Sequence, residues 1–146
     1  LGDEHLVTIA REMELIQLYL DIEQIRFRDR LKIKVEVDHT LNEETLPALL
    51  LQPIIENAFH HGISKVEENA NLEISVRKQD GEFCLVKIRH SAPPLPSGWH
   101  YEDHMGIGLS NVLNRLELSY GMRFTFLMGN DKGGEGIVTQ ITLPLD

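Results

Sequence analysis

The sequence predicts an α/β fold, a two-layer α+β sandwich in which a mixed sheet of about five strands carries about three helices on one face. Three observations carry that expectation. "LKIKVEV" (31–37) alternates apolar and polar residues without a break, the period of a half-buried strand. "LEISVRK" (72–78) and "FCLVKIR" (83–89) flank a "QDGE" turn, a hairpin signal. Two longer segments, 4–28 and 106–121, repeat apolar residues at helical spacing.

Taken in order, residues 4–28 read as one helix. Ile9, Met13, Ile16, Leu20 and Phe27 form one stripe, and Leu15, Leu18, Ile22 and Ile25 form a second on nearly the opposite side. A helix that only covers its own core needs one stripe, so the second is expected to be an exposed patch or a contact for another domain. The strand 31–37 follows. Residues 45–61 begin irregularly at Pro47 and Pro53 and end as a helix that stops at Gly62. After the hairpin, residues 91–105 hold three prolines, Gly98 and Trp99 with no periodicity, a loop long enough to suggest a function. "GIGLSNVLNRLELSYG" (106–121) is a glycine-led helix with Leu109, Val112, Leu113 and Leu116 on one side. "RFTFLM" (123–128) and "GIVTQITLPL" (136–145) close the chain as strands.

The 146 residues suit one domain with a real core, and 42% hydrophobic with 25% charged residues is an ordinary globular balance. No apolar run approaches the roughly 20 residues that span a bilayer, and no signal peptide opens the chain. From its abrupt opening on a helical pattern the chain is expected to be a fragment of something longer. Cys84 is the single cysteine, which fits a reducing compartment. A net charge of −9 argues against nucleic acid as a partner. An anionic ligand would have to be held locally, by backbone N–H groups or a metal ion.

In "LLLQPIIENAFHHGI" (49–63), Glu56, Asn57, His60 and His61 arrive directly off a core-forming run. On a helix Asn57 shares a face with His61, and Glu56 with His60. An asparagine carbonyl suits Mg²⁺ and histidine can donate to phosphate, although a solvated helix end would carry the same residues. The two glycines of "GIGLSNV" would let a phosphate approach backbone N–H groups at the positive end of a helix.

These motifs, in this order, make the chain resemble the catalytic ATP-binding domain of sensor histidine kinases of the LytS-like branch, within the GHKL ATPase superfamily. "ELIQLYLDIEQIRFRDRL" (14–31) looks like the linker helix and first strand, "LPALLLQPIIENAFHHGI" like the N box, and "GIGLSNVLNRLELSYG" like the G2 box. The resemblance implies a Bergerat-type sandwich binding Mg–ATP between the N-box helix and a mobile lid over residues about 92–107. It makes Asn57 the Mg²⁺ ligand and Glu56 its acidic neighbour, the pair nominated as catalytic. His60 stands where a lysine often contacts phosphate, His61 lies against the nucleotide, and Gly106, Gly108 and Leu109 belong to the lid's nucleotide contacts. It divides the chain into a linker helix (1–28) and an ATPase domain (29–146). The helix leads from an upstream phosphoacceptor and dimerisation segment. It also implies a homodimer in full length, a response regulator as partner, and a cytoplasmic location in an inner-membrane sensor.

The family's G1 box reads Asp-x-Gly-x-Gly, and its aspartate accepts from the adenine amino group. Here "HSAPPL" puts His90, Ala92 and Pro94 at those positions, and Ile137 follows Gly136 where Gly-Thr is usual. Weak ATP binding with poor discrimination from GTP is therefore expected. The leading reading is an ATP-dependent kinase acting on a histidine outside this chain. The alternative is a non-catalytic relative that serves as an interaction module. A metal site from His90, His100 and His104 is the less favoured reading of the loop histidines.

Overall fold

The computed structural model describes residues 5–103, 106–133 and 136–145. In chain order the elements are β1 (Leu6–Thr8), α1 (Ile9–Phe27), β2 (Leu31–Val37), β3 (Thr45–Pro47), α2 (Gln52–His61), β4 (Ala70–Gln79) and β5 (Phe83–His90). They continue with α3 (Ile107–Tyr120), β6 (Thr125–Asn130) and β7 (Ile137–Pro144). Five strands form one mixed sheet in the order β2-β4-β5-β7-β6, with only β2 and β4 parallel. The expected two-layer sandwich is the architecture found.

Side-chain alternation makes the two faces of the sheet different. On β4, β5 and β7, Leu72, Ile74, Val76, Val86, Ile88, Ile141 and Leu143 are all buried against the helices, while Glu73, Arg77, Lys87 and Arg89 occupy the other parity. Each such Leu or Ile contributes roughly 1.5–3 kcal/mol by leaving water. From the helical layer come Ile16, Leu20 and Phe27 of α1, Ile54, Ile55 and Phe59 of α2, and Val112 and Leu116 of α3. Phe59 meets Phe27 at 5.8 Å and Tyr19 at 5.7 Å between ring centroids, joining α2 to α1. The hairpin turn forms where expected, with positive φ at Asp80 and Gly81, as a tight primed turn requires.

Two boundaries differ from the sequence reading. The first helix does not start at residue 4, because Leu6–Thr8 is a strand paired with Thr45–Pro47. The Thr8 side chain then accepts from Arg11 N at 3.1 Å and begins the helix at Ile9. The strand read over 123–128 runs instead over Thr125–Asn130, because Arg123 N bonds Tyr120 O and closes the turn after α3. The second stripe of α1 is an exposed patch, as expected: Leu18, Ile22 and Ile25 are 58%, 64% and 76% exposed, with Leu15 half-buried.

Candidate functional site

A cleft of about 650 Å³ opens between α2, the ends of β5 and β7, the loop after β5 and the first turn of α3. Asn57, His61, His90, Gly106, Gly108 and Leu109 all line it. Glu56 and His60 do not: both are exposed and fall outside the lining. The burial of α2 explains the split. Ile54 and Ala58 sit on the cleft side of the helix, and Asn57 and His61 extend that side by one turn. Glu56 and His60 lie a step round the helix, off that side.

One lining residue escaped sequence reasoning and carries charge. Lys65 ends the short turn Ile63–Lys65 after α2, and it is the one permanently charged side chain among the described lining residues. Thr139 was also missed. It is buried on the floor of the cleft, and the signal was available: a hydroxyl at an inward position of β7, between Ile137 and Ile141. His61 is held below the usual imidazole value, by partial burial first and then by His60 and Lys65. Among the described residues, Lys65 is the formal positive charge of this wall.

A hydrogen bond fixes the tautomer of the neutral His90 ring. Its Nδ1 lies 3.0 Å from Ser91 O, and a carbonyl only accepts, so Nδ1 carries the hydrogen and Nε2 is left as an acceptor. Burial is the main cause holding its pKa below the usual 6.5, with the Ser91 bond opposing. Gly62 permits the placement. A Cβ there would stand 2.6 Å from His90 Nδ1 and 2.8 Å from Ala58 O. Gly62 has φ −121, so glycine is needed for close approach and not for a left-handed turn.

Because the buried ring is neutral in the folded chain, the unfolded chain takes up a proton first on acidification. His90 thus contributes stability that is complete above about pH 6.5 and is lost as pH falls below that value towards its lower folded pKa. Denaturant unfolding between pH 7.5 and 5.5 should show this loss, and His90→Gln should flatten it. An unchanged slope in that variant would remove His90 from the account.

The other wall is the start of α3. Gly106 caps it without a side-chain bond, and the first intrahelical hydrogen bond is Ser110 N to Gly106 O at 3.0 Å. The N–H groups of Ile107, Gly108 and Leu109 precede that bond and lack helical acceptors. A Cβ on Gly106 or Gly108 would meet nothing within 4 Å, so these glycines keep space open. The loop between is tied to β6 by a reciprocal pair, Leu95 N to Asn130 Oδ1 at 3.0 Å and Asn130 Nδ2 to Leu95 O at 3.1 Å. Of the loop histidines, His100 is exposed and His104 lies outside the described residues. Among the described residues no cluster of three His, Cys, Asp or Glu could hold a metal. Asn57 offers a neutral amide oxygen on the α2 side of the cleft. No described helix is long and apolar enough to cross a membrane.

No family model matches the chain. It is 34% identical over 118 residues to the sensor histidine kinase BtsS of Escherichia coli K12, an alignment covering 79% of this chain and 20% of that protein. It is 30% identical over 118 residues to the sensor histidine kinase YesM of Bacillus subtilis, covering 80% and 20%. The chain thus spans about a fifth of the length of these relatives. Among solved structures, the nucleotide-free catalytic domain of histidine kinase ThkA matches with a TM-score of 0.70 at 15% identity, over 97% of each chain. Histidine kinase ThkA in complex with the response regulator protein TrrA matches with a TM-score of 0.69 at 16% identity, over 98% of this chain and 42% of that one. The chain is thus homologous over most of its length to one part of sensor histidine kinases, and its fold is that of histidine kinase catalytic domains.

Proposed function

We infer that the cleft binds Mg–ATP and that the chain is the catalytic domain of a two-component sensor kinase, passing the γ-phosphate to a histidine outside this chain. The observation that carries this reading is the pairing of two walls. Asn57, His61 and Lys65 stand on one side, and the uncapped, glycine-led start of α3 on the other. A triphosphate suits both: Lys65 and the free N–H groups of α3 meet its oxygens, and Asn57 offers an oxygen to the metal. The residues fit magnesium through its preference for few protein oxygens and several waters. When bound, the ion would neutralise charge on the phosphates. His90 Nε2 would accept from the adenine amino group in place of a carboxylate.

With Lys65 the one lysine or arginine among the described lining residues, these residues cannot balance a triphosphate. Its contribution is positioning: α2 sets Asn57 and His61, Thr139 and Ile88 floor the base pocket, and the loop from Pro93 to Trp99 screens it from water. In this reading the acceptor histidine lies on helices of the same protein, a homodimer, and a response regulator is the next partner. The domain is cytoplasmic in an inner-membrane sensor. The kinase names of the relatives support the catalytic reading over the non-catalytic one. The neutral, buried His90 is the observation that favours the second.

Calorimetric titration with ATP and GTP, with and without Mg²⁺, separates them. Weak ATP binding that tightens with Mg²⁺ and only modestly exceeds GTP is expected. His90→Asp, Ala92→Gly and Pro94→Gly together should tighten ATP about tenfold, the gain of a charge-assisted over a neutral hydrogen bond to the adenine amino group, and GTP less. No heat with ATP at millimolar concentration in either protein would leave the non-catalytic reading standing.

A further inference from the structure

Residues 48–51, which join β3 to α2, hold a polar junction that the nucleotide reading does not use. Leu49 has φ +58, a left-handed conformation in which a leucine is uncommon. Its side chain is 50% exposed, so core packing does not keep it there. Two side chains from other helices do. Glu12 of α1, 1% exposed, accepts from Leu49 N at 2.9 Å and from Leu51 N at 3.0 Å. Arg115 of α3 donates to Leu49 O at 3.2 Å and also to Ala48 O.

The same contacts cap a helix. Leu51 is the N-cap of α2 and has no side chain that could serve. The Glu12 carboxylate instead accepts from the N–H of the N-cap residue itself from 39 residues away, as the acidic partner of a capping box does, with its charge at the favourable end of the helix. One strained linker is therefore gripped by its N–H groups from α1 and by its carbonyls from α3.

The geometry also relates the two walls of the cleft. Asn57 lies six residues along α2 from the gripped Leu51, and Leu109 lies six residues along α3 from Arg115. At 1.5 Å per residue each arm is about 9 Å long. A change of angle at the junction would move both walls by comparable amounts. We propose that Glu12 and Arg115 are positioning residues, a clamp that sets α2 against α3 and so sets Asn57 and His61 against the glycine-led start of α3. The inference rests on the nucleotide reading of that cleft.

The test uses Arg115→Met, Arg115→Lys and Glu12→Gln in this chain. Mg–ATP and Mg-free ATP affinities, cooperative unfolding, and amide exchange over residues 48–61 would be measured. Arg115→Met should stay cooperatively folded, weaken Mg–ATP about tenfold, the loss of a charge-assisted hydrogen bond, and reduce the enhancement by Mg²⁺. Arg115→Lys, which can still reach one carbonyl, should recover part of both. Glu12→Gln places a donor against one of the two N–H groups and should act in the same direction. A fall in melting temperature with affinity and Mg²⁺ enhancement unchanged would make the residues structural only and overturn the clamp. If the unaltered chain binds no nucleotide, the reading of the cleft fails, and exchange decides the clamp by itself. Faster exchange at Leu49, Leu51 and through α2 in Arg115→Met supports it, and unchanged exchange overturns it.

Discussion

Asn57→Ala is expected to weaken Mg–ATP binding about tenfold to a hundredfold and to abolish the advantage of Mg²⁺ over metal-free ATP, in line with the loss of one charge-assisted contact. The cleft's own charges dictate the size of the effect. Among the described lining residues Lys65 is the one lysine or arginine, and none is a carboxylate. His61 is held below the usual imidazole value by partial burial first, and then by the neighbouring His60 and Lys65. A triphosphate entering this site depends on magnesium for most of its neutralisation, and Asn57 is the side-chain oxygen on α2 that faces it. The loss should not be structural, because Asn57 is half-buried at the cleft and is not part of the core. Isothermal titration with and without Mg²⁺ at constant ionic strength reads the result. An unchanged Mg²⁺ dependence would place the nucleotide elsewhere.

Gly136→Ala is expected to lower stability by about 1–3 kcal/mol, the usual cost of forcing volume into packed space. In a chain of 146 residues that is a fall in melting temperature of roughly 3–10 °C. A Cβ on Gly136 would stand 2.5 Å from His90 O and 3.3 Å from His90 C. These are backbone atoms of β5, held by its pairing of His90 with Ile137, so they cannot swing aside as a side chain would. The same displacement would shift His90, so Mg–ATP affinity should fall along with stability. Thermal unfolding of the variant checks the first effect. A melting temperature within a degree of the unaltered chain would mean that the strand end yields easily.

Local pattern determined a good deal. The alternation of 31–37, the "QDGE" hairpin and the apolar face of 106–121 are short-range signals, and each became the element it predicted. Family motifs pointed to Asn57, His61, His90, Gly106, Gly108 and Leu109, which the fold gathers around one cleft. Helical spacing also showed that Asn57 pairs with His61 and Glu56 with His60, but period alone cannot say which pair looks inward. The burial of Ile54 and Ala58 on the cleft side of α2 decided it, and Glu56 and His60 were left outside. A three-residue strand at Leu6–Thr8 has too little length to show a period, and its partner lies at 45–47. Glu12 read as one more polar residue on a long helix. Its carboxylate became the cap of α2 only because the tertiary fold brings Leu49 and Leu51 to it across 37 and 39 residues. Periodicity is a property of neighbours along the chain, whereas a buried carboxylate or a glycine beneath a histidine ring answers to partners that only the folded packing supplies.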